Sequence, residues 1–413
     1  MKRIKLSELD TKLVKSISHG IPFSLYFGAD PEFFVANPRG KILNSDQFFP
    51  HKSKPKIIDL DSVGIWDSKG KLYFDGIQAE FGFDPVVCRV YFIMSIKNIL
   101  NEVQRDIGIN KIVLKPSVKV YKDILDNAHP EAKIFGCMPD YNAYTLSVNT
   151  PPMNAERHPY RYAGGHIHIG LIRTNKISPQ YKRQQDILEN EEEHLEWIKS
   201  LDFFVNLLTL PLDDSPAARR RRSKYGKAGC FRPTPYGIEY RSLSCWWLRS
   251  PIFVSLVLGL ARLATVYIYH KKAFRKILKL INITEEDIRG AIDESDVKYA
   301  KRVWKSVRPI LSRVSSTINP LYSKRKPSTP VNSAGIVNLQ PITLLDYMLM
   351  EGVDGLIDIN HPVNEWELKN LQSYRYMWGD KNSFVNGLRQ RISNLIGAKR
   401  AIKYEKALVK MMG

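Results

Sequence analysis

The chain has 413 residues, 44% hydrophobic and 25% charged, the make-up of a folded globular protein rather than a disordered or fibrous one. Its formal net charge of +20 calls for an anionic partner: a nucleotide, a nucleic acid, an acidic protein or an anionic lipid surface. Cys88, Cys137, Cys230 and Cys245 are scattered without a CxxC pair, which argues against a zinc site or a disulfide framework and fits a reducing compartment.

The opening segment MKRIKLSELDTKLVKSISHG has no apolar run of the secretory kind, so a cytoplasmic protein is expected. From residue 26 to about 80, short apolar runs alternate with Gly, Pro, Asn and Asp, the pattern of strands joined by turns. Residues 85–107 carry Val86, Val90, Ile93, Met94, Ile96 and Leu100 near helical spacing. Strands are expected again at 111–121, 143–149 and 165–172, followed by one long polar helix over 178–210. An arginine-rich loop and a strand at 237–243 come next. The apolar stretch 251–269 is barely long enough to span a bilayer and contains Arg262, so it reads as a buried core helix, and no membrane is expected.

Beyond residue 270 the chain turns helical and basic. No Asp or Glu occurs between Lys298 and Leu345. Lys298, Lys301, Arg302, Lys305 and Arg308 fall on one helical face, beside an apolar stripe of Ala300, Val303, Trp304, Val307 and Leu311. Residues 323–335 read as a linker and 382–411 as a last basic helix. Clustered strands without βαβ alternation indicate an α+β fold with an antiparallel sheet. The expected division is a catalytic domain, 1–270, and a basic helical C-terminal extension, 271–413.

There is no GxxxxGK[ST] loop, no GxGxxG, no HExxH and no GxSxG, so nucleotide chemistry would have to be held by side chains and metal. Four segments offer such side chains. In GADPEFFV (28–35), Asp30 and Glu32 share one strand face while Phe33 and Val35 share the other. In DGIQAEFGFDP (75–85), Glu80 projects from a strand whose opposite face is apolar. In AGGHIHIG (163–170), His166 and His168 share a face, and Gly164 and Gly165 allow close approach of a backbone or ligand. In RRRRSKYGKAGCFRPTPYGIEYRSLSCWW (219–247), Glu239 and Arg241 share a face. Arg219 to Arg222, Lys224, Lys227 and Arg232 lie upstream, in a stretch too rich in Gly and Pro for regular helix. Each acid, read alone, is also what a solvated strand face would show. Together they compose a carboxylate and imidazole surface able to hold Mg²⁺, with guanidinium groups placed to bind phosphate.

In this order the four motifs resemble the phage-type carboxylate–amine ligases (amidoligases, COOH–NH2 ligase type 2), relatives of glutamine synthetase and glutamate–cysteine ligase. The resemblance covers roughly residues 26–250. It implies a curved antiparallel sheet with helices on its outer face, and ATP with Mg²⁺ or Mn²⁺ as cofactors. It further implies a carboxylate and an amine as substrates, and an oligomer is compatible with it because relatives share sites between subunits. Residue by residue, it makes Asp30, Glu32, Glu80, His166 and Glu239 metal ligands, with Asp30 standing where relatives carry Glu. It places His168 nearer the nucleotide and makes Arg241 the arginine that steadies the transferring phosphoryl group. From their own chemistry, Arg221, Arg222, Lys227 and Arg232 are expected to bind the nucleotide's phosphates, and Arg222 to join Arg241 and Glu239 in the catalytic set. A phage origin would put the protein in the host cytoplasm. The competing reading from charge alone is a nucleic-acid-binding or virion structural protein that uses the clusters at 219–232 and 298–326. That reading leaves the strand-borne acids and the histidine pair without a role.

Overall fold

The computed structural model describes residues 25–60, 68–87, 89–133, 140–149, 158–171, 173, 175, 178–270, 272–323, 342, 345, 346, 348, 349 and 366. Its frame is an open antiparallel sheet. The strands in chain order are β1 (Leu25–Ala36), β2 (Ile42–Leu43), β3 (Lys56–Asp59), β4 (Lys69–Asp75), β5 (Gln78–Phe83), β6 (Lys111–Val113) and β7 (Ser117–Lys119). There follow β8 (Asp140–Asn142), β9 (Val148–Asn149), β10 (Tyr160–Tyr162), β11 (Gly165–Leu171), β12 (Cys230–Thr234) and β13 (Gly237–Tyr240). The main sheet runs β3-β4-β5-β1-β11-β13-β12-β8-β9, with β2 and β6 also on β1, while β7 and β10 form a separate pair.

β1 lies at the centre and changes neighbours along its length. It pairs with β11 from Leu25 to Pro31, and from Glu32 onward with β5, β6 and β2. Pro31 has no N–H to give a ladder, and it sits where the β11 pairing ends. The odd-numbered side chains of β1, β5 and β11 and the even-numbered ones of β13 form the apolar face: Phe27, Phe33, Phe81, Ile167, Ile169, Ile238 and Tyr240 are all buried. Helices cover that face. Phe92, on the helix Arg89–Ile107, meets Phe83 edge-on at 4.9 Å, and Asp202, at the end of the helix Glu191–Leu201, bonds Tyr240.

The stretch 251–269 is indeed a core helix. Ser250 caps it by accepting from Ile252 N, Pro251 begins it, and 89% of its apolar window is buried inside the protein. Among the described residues it is the one helix long and apolar enough to cross a membrane.

Four expectations need correction. The helix expected over 178–210 is broken at Asn190, which ends Pro179–Glu189 and caps Glu191–Leu201 by accepting from Glu192 N. The strand expected at 143–149 is a hairpin: β8 ends at Asn142, whose Oδ1 accepts from Tyr144 N and Thr145 N and turns the chain back into β9. Arg219 to Arg222 are helical, in Pro216–Arg222, because Ser215 caps the helix, Pro216 starts it, and the glycines come only later. The run 111–121 likewise divides, at Lys115–Pro116, into β6 on the main sheet and β7 on the small one.

After residue 270 the described chain continues as helices Ala273–Ile281, Glu285–Asp293 and Val297–Ser323, whose apolar residues join the same core cluster. Asp293 accepts from Ala228 N at 2.8 Å, and Lys199 pairs with Glu285 at 2.7 Å. The apolar stripe from Ala300 to Leu311 is buried, while Lys298, Lys301, Arg302 and Lys305 are exposed. Arg308 is half-buried instead, paired with the buried Asp346 at 2.6 Å. The linker expected at 323–335 and the helix expected at 382–411 lie outside the described residues, apart from Ser323.

Candidate active site

Register decides what meets on the polar face of the sheet. Asp30 lies opposite His166 and Gly28 opposite His168 across β1 and β11. Glu32 lies opposite Glu80 across β1 and β5, and His168 opposite Glu239 across β11 and β13. Directly opposed residues of an antiparallel pair project to the same side, so Asp30, Glu32, Glu80, His166, His168 and Glu239 share one face. Residues separated by as much as 209 positions thus converge because four strands pair in one register.

The contacts are dense. Asp30 Oδ1 lies 3.1 Å from His168 Nε2 and 3.5 Å from His166 Nδ1. Tyr236 Oη is 2.7 Å from His168 Nδ1, and Tyr225 Oη is 2.9 Å from His166 Nε2. Gly164 N donates to Glu32 at 2.6 Å, and Tyr73 Oη donates to Glu80 at 2.6 Å. Arg241, just past β13, donates to Glu239 and to Tyr225 Oη (2.8 Å), and its Nε pairs with Asp140. Arg232 reaches the other oxygen of Glu239 at 3.2 Å.

Glycine makes this packing feasible at two points. A Cβ on Gly164 would run into the His166 ring, and one on Gly165 into the Ser244 carbonyl and the Trp247 indole, which bonds Gly165 O at 3.1 Å. The close approach anticipated for these glycines is therefore to backbone and ring.

Burial and neighbouring charge pull the carboxyls of this face in opposite directions. Burial raises the Glu80 carboxyl well above its ordinary range, and the nearby charges of Asp30, Glu32 and Asp75 push it further up. Burial also raises Glu32, against the opposing pull of His166 and the Gly164 N–H. Burial would raise Asp30 too, but the charges of His168 and His166 outweigh it and hold Asp30 far below the usual carboxylate range. Burial works against a charged His168, and Asp30 overrides it and raises the imidazole.

Such a surface fits a divalent cation. Asp30, His168 and Glu239 each offer a ligand atom, all within 4.8 Å of one another, and Glu32 stands directly opposite Glu80, its charge adding to burial in raising the Glu80 carboxyl. Oxygen and imidazole donors with no thiolate suit Mg²⁺ or Mn²⁺. A cleft of about 250 Å³ opens beside the cluster, where Gly28 and Gly82 leave the strands bare. Asp30, His168, Tyr236, Lys69 and Lys71 line it.

The arginines divide. Arg232 and Arg241 reach the cluster. Arg222 does not: Nε donates to Ser295 Oγ (2.8 Å), Nη1 to Asp213 Oδ2 (3.0 Å) and Nη2 to Asp213 O (2.7 Å). Arg221 is fully buried, donates to Ser242 O at 2.9 Å and lies 4.8 Å from the Tyr225 ring, so it backs the site from behind that ring. Lys227 is exposed to solvent. Several residues at the site escaped the sequence reading, Tyr73, Lys69 and Lys71 among them. Tyr225 and Tyr236 sit within the fourth motif, where only charged residues drew notice. Asp140 belongs to a three-residue strand too short for any alternation to mark it.

Comparison with known proteins bears on part of this arrangement. Residues 188–321 match the family model described as Phage phiEco32-like COOH.NH2 ligase-type 2, the family the motifs resemble. The match takes in Arg232, Glu239 and Arg241 and runs on through the helices after residue 270. The first three motifs lie outside it. No curated protein matches the chain. A solved structure, that of a bifunctional glutathione synthetase from Pasteurella multocida, is similar with a TM-score of 0.42 and 11% identity over 97% of this chain and 54% of that one. The chain thus spans about half the length of that protein, and a likeness this distant carries no argument about either fold or chemistry.

Proposed function

We propose that the chain, which carries a carboxylate–amine ligase signature over residues 188–321, joins a carboxylate to an amine with ATP and Mg²⁺ or Mn²⁺. One observation supports the reading most: the matched segment supplies Glu239 and Arg241, and strand register sets them beside Asp30, Glu32, Glu80 and His166 from outside the match. The sheet would then be of the glutamine synthetase and glutamate–cysteine ligase type.

In the proposed reaction a substrate carboxylate oxygen bonds the γ-phosphorus of ATP, and the bond from that phosphorus to the β–γ bridging oxygen breaks. Acyl phosphate and ADP result. An amine nitrogen then bonds the acyl carbon, phosphate departs, and the amine gives up a proton to leave an amide. A divalent cation held by Asp30, Glu32, Glu80, His166 and Glu239 would supply charge neutralisation for the phosphate oxygens. Arg241 is fixed from two sides by Glu239 and Asp140, so its guanidinium is preorganised toward a moving phosphoryl group. His168, Lys69 and Lys71 line the cleft that would take the nucleotide, with Lys227 outside it, while Arg232 acts from the Glu239 side of the cluster. Arg222 and Arg221 serve this reading as supports for the loop carrying Tyr225.

A screen of carboxylate and amine pairs, read by release of ADP and phosphate, tests the reaction. ATP-dependent amide formation with ADP as product is the expected outcome. AMP and pyrophosphate as products would reject the acyl-phosphate scheme.

A further inference from the structure

A second cleft, of about 590 Å³, opens at the other end of β1. Its nearest strand residue, Ala36, is four positions beyond Glu32, so it begins roughly 13 Å along the strand from the carboxylates. Ala36, Ile42, Val113 and Val118 make an apolar floor. Around it stand Lys41, Lys111, Lys115, Lys119, Arg220 and Arg249, and no Asp or Glu lines it.

Most of these cations are uncompensated. Lys41 is neutralised by Asp123 at 2.6 Å. Lys111, Lys115, Lys119 and Arg220 have no ion-pair partner among the described residues; Lys111 meets only a carbonyl, Pro38 O at 3.1 Å. Arg220 is held in place by neutral groups, stacking 4.1 Å over the Tyr160 ring and donating to Ser117 Oγ at 3.2 Å. At the mouth, the Tyr121 ring is 59% exposed, with Lys119 Nζ 5.9 Å from its centre.

Like charges gathered over an apolar floor repel one another, and an anionic ligand would relieve that repulsion. We propose that this cleft binds a single strand of nucleic acid, phosphates on the lysines and Arg220, and a base on Tyr121. Several cations along a groove suit a repeating backbone better than one small carboxylate. An open aromatic face beside them suits a base, whereas an acidic peptide gains nothing from it. A concave site of this size admits a strand but not a duplex. None of these residues belongs to the ligase site, so the proposal stands apart from the catalytic reading.

The test is fluorescence anisotropy of a short labelled oligothymidylate with the full chain, across a salt series. Wild type should bind, with affinity falling as salt rises. The triple variant Lys111→Gln/Lys115→Gln/Lys119→Gln should lose at least about tenfold in affinity, and its log–log salt slope should shrink by about 2, at ~0.7 per lost phosphate contact. Tyr121→Ala should weaken binding by about tenfold through lost stacking while keeping the salt slope. Glu239→Gln should bind the oligonucleotide as wild type does, whether or not the ligase reading holds. All variants change exposed groups or a site outside the cleft, and an unaltered melting temperature for the lysine and tyrosine variants checks that they fold. Absence of binding, an unaffected triple variant, equal affinity for polyglutamate, or full displacement by ATP would each overturn the proposal.

Discussion

The two faces of the central sheet both bury carboxylates, and they treat them in opposite ways. On the core face Asp202 is fully buried, accepts from Tyr240 Oη and Gly229 N at 2.6 Å each, and its carboxyl is pushed up to about 7 by burial against those bonds. It is a polar group satisfied by neutral donors. On the polar face Glu32, Glu80 and Glu239 are nearly as buried but are set against other charges, and for Glu80 those charges are of its own sign. Glu32 and Glu80 each accept from a neutral donor too, but they also face each other's charge. A buried acid facing another acid calls for a cation, and on the proposed reading that difference marks the face that carries the chemistry.

The largest test of this contrast is Arg241→Lys. It keeps a positive charge but loses the fork that spans Glu239, Asp140 and Tyr225, so ligase turnover should fall by about 10²–10³-fold while the melting temperature moves far less. Unchanged turnover would move the chemistry elsewhere.

Glu80→Gln sharpens the comparison next. Without divalent cation the variant should melt a few degrees above wild type, because one of the repelling charges is gone. Wild type should gain about 2.7 kcal/mol at a metal concentration 100-fold over Kd, and the variant should lose most of that gain. A full metal response in Glu80→Gln would break the idea of a shared cation site.

Asp202 offers the matching test on the core face. Its folded-state pKa of about 7 lies above the ordinary 3.8, so the folded protein binds the proton more tightly than the unfolded chain. The stabilisation from this proton is complete below about pH 4 and is lost as pH rises through 7. Wild type should therefore melt higher at pH 6 than at pH 8, and Asp202→Asn should flatten that slope without altering the metal response.

The smallest effect is expected at the exposed stripe of Lys298, Lys301 and Lys305. Replacing these with Gln should leave turnover on a small substrate unchanged, since none of them contacts the cluster. A collapse of turnover would tie the helix Val297–Ser323 to the active site.

Alternation made much of the site legible. Asp30 with Glu32, and His166 with His168, could be placed on common faces because a strand repeats every two residues. Whether those faces coincide was a matter of register, and register involves strands 136 positions apart, as for Asp30 and His166. The arginines were harder. Arg221, Arg222, Arg232 and Arg241 look alike in a basic run, and only their partners separate them: Asp213 and Ser295 hold Arg222, whereas Glu239 and Asp140 hold Arg241. The helix at Pro216–Arg222 was hidden for a related reason, its neighbours Gly226 and Gly229 lending loop character to a window that begins with a good cap.

The order of the strands also has a consequence for how the chain is made. β5, β1, β11 and β13 are adjacent in space, yet Glu239 and Arg241 are synthesised some seventy residues after His168. A nascent chain that ends before β13 has its acids and imidazoles but neither the arginine clamp nor the last carboxylate. Pairings this distant carry a high contact order, which slows the search for the native topology. Activity should therefore appear late in refolding and all at once, with the final strand acting as the key that turns an inert sheet into a working one.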